Sequence, residues 1–181
     1  MAISYEQLMA MKRLDQKYSY SDRDVLLYAL AIGMGADPLD ERELAFVNEA
    51  TVTARPVKVV PTFASVAAGF AEPGEFNLNS IAFDGERDIT FHGTLPPAAP
   101  ITADSSVLAV YDKGKHKGAV IRFQTVLKGS HGELLASLVT SYFARGTAVL
   151  AGLPVVSLSH IKCRAERPTG SSTFPRAPIK G

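Results

Sequence analysis

The 181 residues carry 19 Lys and Arg against 18 Asp and Glu, a formal net charge of +1, with 46% hydrophobic and 20% charged side chains. That balance argues against disorder, a fibre, and the broad basic field that grips a nucleic-acid backbone, so any anion site has to be local. No stretch approaches the roughly 20 apolar residues of a membrane span, the N-terminus lacks a signal-peptide pattern, and the single cysteine, Cys163, cannot form an internal disulfide; a soluble protein of the reducing cytoplasm is expected.

The first marked element is "YSYSDRDVLLYALAIGMG". Ser21 can cap free amides, Asp22 and Asp24 suit the positive end of a helix dipole, and Gly33 or Gly35 supplies the stop. In the following segment "ADPLDE" reads as a turn fixed by Pro38, and a short helix is expected around Glu43 to Asn48. An extended "VKVV" then ends at Pro61. Proline suits a first helical turn, and Thr62 to Phe70 is small and apolar nearly all round, which predicts a buried helix.

After Asn77 the period changes. "ERDITFHG", "ITADSSVLAVYD", "KGAVIRFQTVLK" and "ELLASLVTSYFAR" are rich in β-branched and aromatic residues, with the turns "LPPAAP", "KGKHKG" and "KGSHGE" between them. Connections this short predict antiparallel neighbours, and hence a sheet with a buried helix against one face. The tail "SLSHIKCRAERPTGSSTFPRAPIKG" loses periodicity and reads as a linker or arm, giving a domain over 1–148 and an arm over 149–181.

"YSYSDRDVLLYALAIGMGADP", "VVPTFASV", "FDGERDITFHGTLP" and "VYDKGKHKGAVI", in this order, resemble the N-terminal half of the MaoC-like type 2, (R)-specific enoyl-CoA hydratases, from about Tyr20 to about Gly146. The resemblance implies an α+β hot-dog fold, a curved antiparallel sheet wrapped around a buried helix, paired with a second such half. It also implies hydration of a trans-2-enoyl-CoA to a (3R)-hydroxyacyl-CoA, in fatty acid or steroid β-oxidation. The family's catalytic half carries a Gly-Asp-x-Asn-Pro-x-His type motif whose Asp and His act as acid and base. No such motif occurs in these 181 residues, and "FPRAPIKG" looks like the Pro-rich linker that precedes the catalytic half. The implied role is the substrate-binding half, with the CoA thioester as substrate, no cofactor and no catalytic group of its own.

By the same resemblance, Lys113 matches a lysine that contacts CoA, and Asp84 and Gly85 match a His-Gly pair that touches the acyl-CoA. A hairpin-tip lysine is a serviceable point charge for phosphate, although such tips are also lysine-rich for solubility; Lys115, His116 and Lys117 share that tip. Asp84 replaces the family's usual His with a carboxylate, which repels a thioester or phosphate oxygen unless something compensates. His92, with Asp84 and Glu86 nearby in sequence, would make an acid–base pair if folded together with them, yet a histidine at a strand end is ordinarily structural or solvated. Ser130 and His131 are adjacent in a turn, where side chains are expected to point apart.

His92, His116, His131 and His160 show no zinc spacing, so no metal is expected. By the same resemblance, the region of the predicted helix borders the pocket for the acyl tail, where its small residues Ala64, Ala67 and Ala68 would suit a long or bulky acyl group. Three readings remain open from the sequence. One is a substrate-binding half or subunit served by a partner hot-dog domain; another is a stand-alone acyl-CoA-binding homodimer; the third is a hot-dog acyl-CoA thioesterase using His92 or Asp84.

Overall fold

The computed structural model describes residues 3–48, 57–69, 71–74, 82–113, 118–144 and 150–151. Phe70, Lys115, His116, Lys117, His160, Cys163 and the tail after 151 lie outside the described residues. Chain order runs β1 (Ile3–Ser4), α1 (Tyr5–Met9), β2 (Lys12–Tyr20), α2 (Asp22–Ala31), α3 (Glu41–Val47) and a 3-10 turn (Pro61–Ser65). Strands β3 (Ala82–Phe91), β4 (Ala99–Asp112), β5 (Ala119–Lys128), β6 (Leu134–Ala144) and β7 (Leu150–Ala151) follow. No helix among the described residues is long and apolar enough to cross a membrane.

Helix α2 forms where its sequence signals it. The Asp24 carboxylate accepts from both the backbone N–H and the hydroxyl of Ser21, each at 2.8 Å. These two bonds hold its pKa below the usual carboxylate range. At the other end Met34 N–H donates to the Ala29 carbonyl and Gly33 N–H to that of Leu30. This is the Schellman stop, with Gly33 at φ +92°, where a Cβ would be strained. The expected turn at Asp37 is also present, its carboxylate accepting from Leu39 N–H at 2.9 Å.

Five strands form one antiparallel sheet in the order β2-β4-β5-β6-β3. Alternation dictates its two faces: along β5 every second residue from Ala119 to Leu127 is buried and those between are half-buried. Bulges at Arg13/Gln16, Asp84/Glu86 and Val107/Ala109 add twist, so the sheet curves. The two-residue pair β1–β7 is separate and ties 150–151 back to 3–4.

Two expectations change. "LPPAAP" does not join neighbours: β3 lies beside β6, while β4 lies between β2 and β5. Residues 92–98 therefore cross three strand spacings, about 14 Å, which seven extended residues at roughly 3.3 Å each span with room to spare. Buried Leu95 and the 2.9 Å hydrogen bond from the Tyr20 hydroxyl to the Pro96 carbonyl fasten the crossing down. The helix expected over Thr62 to Phe70 is also shorter, a single 3-10 turn that gives way to Gly69 at φ +58°.

That turn still supplies the core of the concave face. Phe63, buried, meets Tyr20 and Tyr28 edge-on with centroids at 5.0 and 5.5 Å, and packs with Ile101, Ala103, Leu127 and Leu138. Burying such a ring is worth about 2–3 kcal/mol. At the hairpin end α1 inserts Leu8 against Val107, Val110 and Ile121.

Candidate functional site

Gly85 is where the site begins. The register jumps from Asp84 opposite Tyr142 to Glu86 opposite Ser141, leaving Gly85 as an extra residue in β3. A strand without the bulge would put Asp84 and Glu86 on one face and Asp84 and Arg87 on opposite faces. With it, Arg87 Nη2 reaches Asp84 Oδ2 at 2.7 Å while its Nη1 donates to the Ser65 carbonyl at 3.3 Å. The carboxylate that would repel an anion is thus compensated by a guanidinium in direct contact.

Beyond the bulge lies a groove of about 280 Å³ lined by Gly85 and Glu86 on β3, Tyr111 and Lys113 at the end of β4, Val120 and Arg122 on β5, and Ser141, Tyr142 and Phe143 on β6. Gly85 and Lys113, 28 positions apart in sequence, therefore share one wall-to-wall space. Lys113 Nζ sits 4.8 Å from the centre of the Phe143 ring, a cation–π contact that holds the long side chain over the groove. Its backbone N–H donates to the Gly118 carbonyl at 2.9 Å, closing the base of the hairpin. Arg122 and Glu86 flank Ser141 on one rung, and among the described residues the buried Arg122 Nε has no hydrogen-bond partner. Two cations and one carboxylate make the groove locally positive in a chain that is nearly neutral.

Tyr142 also lines a second cavity, on the concave face. This one holds about 30 Å³ and is bounded by Ala64, Ala68, Arg87, Thr125 and Thr140 among others. The Tyr142 hydroxyl donates to Glu72 Oε1 at 2.7 Å. Burial first, and then that carboxylate, push its pKa well above the ordinary phenol value, so it acts as a donor and not as a base.

His92 is not brought together with Asp84 or Glu86. It follows the far end of the same extended strand, eight and six residues away, or roughly 20–26 Å. Its Nε2 lies 2.9 Å from Ser137 Oγ, and it borders neither cavity. The expectation that Ser130 and His131 point apart is corrected: Ser130 Oγ and His131 Nδ1 are 3.2 Å apart. Both are exposed, and Glu133 bonds the His131 backbone N–H rather than its ring, so nothing orients the imidazole as a base. Among the described residues no group of three or more His, Cys, Asp or Glu comes together.

Arg122, Tyr111 and Phe143 are groove residues that motif reasoning passes over. The signal for Arg122 was available: in "VIRFQ" it is the outward cation between inward Ile121 and Phe123.

Residues 18–146 match the family described as MFE-2 hydratase 2 N-terminal domain. The chain is 34% identical over 146 residues to the peroxisomal enoyl-CoA hydratase 2 of Arabidopsis thaliana, covering 77% of this chain and 47% of that protein. It superposes on a MaoC-like dehydratase from Phytophthora capsici with TM-score 0.63 and 22% identity, covering 86% of this chain and 54% of the other. A chain of the ChsH1–ChsH2 complex from Mycobacterium tuberculosis aligns with TM-score 0.56 and 17% identity, over 85% of this chain and 94% of that one. These likenesses show the hot-dog fold, and the chain spans about half the length of the Arabidopsis enzyme. With a family match that runs from β2 through β6, the chain belongs to the MaoC-like (R)-hydratases as a hydratase 2 N-terminal domain.

Proposed function

We propose that this chain is the substrate-binding half of an (R)-specific enoyl-CoA hydratase or 3-hydroxyacyl-CoA dehydratase, and that the groove between Gly85, Lys113 and Arg122 holds the anionic CoA portion of the thioester. The observation that carries this is the meeting of two distant residues, Gly85 and Lys113, around half-buried Arg122, whose Nε has no hydrogen-bond partner among the described residues. A flexible ammonium serves as a point charge for phosphate and a guanidinium as a directional fork. The groove's volume suits one segment of a CoA ester and not the whole, leaving the acyl end to extend past the Gly85 bulge toward the edge of the sheet.

The acid and base come, on this reading, from a second hot-dog domain bearing the Gly-Asp-x-Asn-Pro-x-His motif, on another chain or on the same polypeptide. Binding energy from the head group then places the enoyl double bond against that partner's catalytic groups. Support for a partner on a separate chain is the fold likeness to a member of a two-component complex.

The test is an assay of the purified chain with trans-2-enoyl-CoA, following loss of the enoyl thioester absorbance. The expected result is no turnover by the chain alone and hydration once a motif-bearing hot-dog partner is added. Turnover by the chain alone would overturn the assignment of the chemistry to a partner.

A further inference from the structure

The groove contains a group that an anion alone leaves without a purpose, the carboxylate of Glu86. Strand register explains the groove's shape. Glu86, Ser141 and Arg122 share one rung of β3, β6 and β5, and Phe143, Val120 and Tyr111 share the next rung on the same face of β6, β5 and β4. Such rungs are two residues apart, about 7 Å, so the groove is a trough that runs across the strands and not along them. One wall is polar, the other aromatic and aliphatic. Lys113 stands at the β4 end and Gly85 at the β3 end, three strand spacings or about 14 Å apart.

The charges divide along that length. Lys113 and Arg122 belong to β4 and β5, whereas Glu86 lies two strand spacings, about 10 Å, from Arg122, and among the described residues it joins no ion pair. An ionised carboxylate only accepts hydrogen bonds, and next to a bound phosphate it would cost affinity. At the far end of the trough it suits a ligand that is anionic at one end, carries an N–H donor at the other, and is apolar along the side that faces Phe143 and Val120. In a CoA ester that description fits the 4′-phosphopantetheine arm, which runs from a phosphate past a dimethyl-bearing carbon and through two secondary amides to the thioester sulfur. Only two methylenes separate the last amide from that sulfur. Glu86 adjoins Gly85 in the same way, so an amide held by Glu86 leaves the thioester at the Gly85 bulge.

Resting on the acyl-CoA reading above, we propose that the trough binds the 4′-phosphopantetheine arm laid across the sheet, its phosphate between Lys113 and Arg122 and an amide N–H of the arm donating to Glu86. The carboxylate then fixes how far the arm advances and so where the thioester stops. The arm uses up the length of the trough, and the nucleotide stays outside it. The chain therefore takes acyl thioesters of 4′-phosphopantetheine as a class, with Glu86 as a specificity residue for the arm.

The experiment titrates the full chain and its Glu86→Ala variant by calorimetry with CoA, pantetheine 4′-phosphate, adenosine 3′,5′-bisphosphate and inorganic pyrophosphate. Pantetheine 4′-phosphate is expected to bind within about tenfold of CoA, and adenosine 3′,5′-bisphosphate at least about tenfold more weakly than pantetheine 4′-phosphate. Glu86→Ala should weaken CoA and pantetheine 4′-phosphate about fivefold, the loss of one exposed hydrogen bond, and should leave pyrophosphate affinity unchanged or raised. A carboxylate that merely repels the ligand predicts the opposite sign. Unchanged or tighter CoA binding by a folded Glu86→Ala variant overturns the proposal, as does adenosine 3′,5′-bisphosphate binding as tightly as pantetheine 4′-phosphate. Should that variant fail to fold, Glu86→Gln, which keeps an acceptor oxygen without the charge, is expected to show a smaller loss in the same direction, and no loss overturns the role of Glu86. Failure of the unmodified chain to bind CoA at all overturns the acyl-CoA reading beneath, and the placement of the arm with it.

Discussion

Replacing the two groove cations separately tests the head-group assignment, because their surroundings differ. Lys113 is exposed, so its attraction to a phosphate about 4 Å away is closer to the ~1 kcal/mol expected in water than to the ~4 kcal/mol of a protein-like dielectric. Lys113→Ala should weaken CoA binding about fivefold at 50 mM salt, and the effect should shrink at 300 mM, where the Debye length falls to about 6 Å. Arg122 is half-buried and offers a directional charged donor, worth roughly 1.5–3 kcal/mol, so Arg122→Gln should cost about 10- to 100-fold and depend less on salt. Calorimetry with CoA and acetyl-CoA at both ionic strengths reads the two losses, and thermal melting checks that the Lys113 variant keeps its stability. Equal losses for both variants, or losses that ignore salt for Lys113, would refute the placement of an anion between them.

Other consequences can be read from individual contacts. A Cβ at Gly85 would lie 3.3 Å from the Ser141 carbonyl oxygen, so Gly85→Ala should lower the melting temperature by a few degrees, at about 2–4 °C per kcal/mol, and weaken CoA binding by shifting the bulge. Asp104, bonded by the Lys128 ammonium and then by Asp15 N–H, has a lowered pKa, so its stabilisation is present above the unfolded carboxylate pKa near 4 and is lost as pH falls through its lower folded value. Asp104→Asn should therefore melt about 2 °C lower at pH 7, and the gap to the unmodified chain should narrow as pH falls below the unfolded carboxylate pKa, as read by melts across pH. His92→Ala should leave acyl-CoA binding unchanged; a fall in hydrolysis of acetyl-CoA on this substitution would instead support a thioesterase.

The four long C-terminal strands were legible because burial enforces alternation: β5 alternates buried and half-buried residues along its whole length. Strand β2 was not, since it lies at the sheet edge with Lys12 to Lys17 exposed on both sides and shows no period to read. Strand order escaped as well, because nothing local in "LPPAAP" distinguishes a hairpin from a crossing; the anchor is Tyr20, 76 residues before its acceptor. The helix after Pro61 was overread from small apolar residues, which satisfy a buried strap as well as a buried helix. At the site, Gly85 inside a strand pattern carried a bulge signal, but its consequence for Asp84, Glu86 and Arg87 depends on the register with β6.

On the proposed reading, the placement of the groove also bears on why a binding half would need a second domain. Gly85 and Glu86 lie on β3, an edge strand, so a ligand held between them and Lys113 extends beyond the sheet and not into a closed pocket. The two edges are not equivalent. Strand β2 is interrupted between Arg13 and Gln16, with Asp15 at φ +54° and the cations Lys12, Arg13 and Lys17 along it, the features that discourage edge pairing. Strand β3 keeps an unbroken register from Glu86 to Phe91 once past its bulge, and exposed Phe83 and Phe91 stand at its two ends. On the proposed reading this is the edge along which a partner sheet continues, since a domain docked there covers both aromatic rings and faces the Gly85 end of the groove. On that reading, catalytic groups delivered from that side would meet the thioester at the Gly85 backbone, beside Glu86 and the Asp84–Arg87 ion pair.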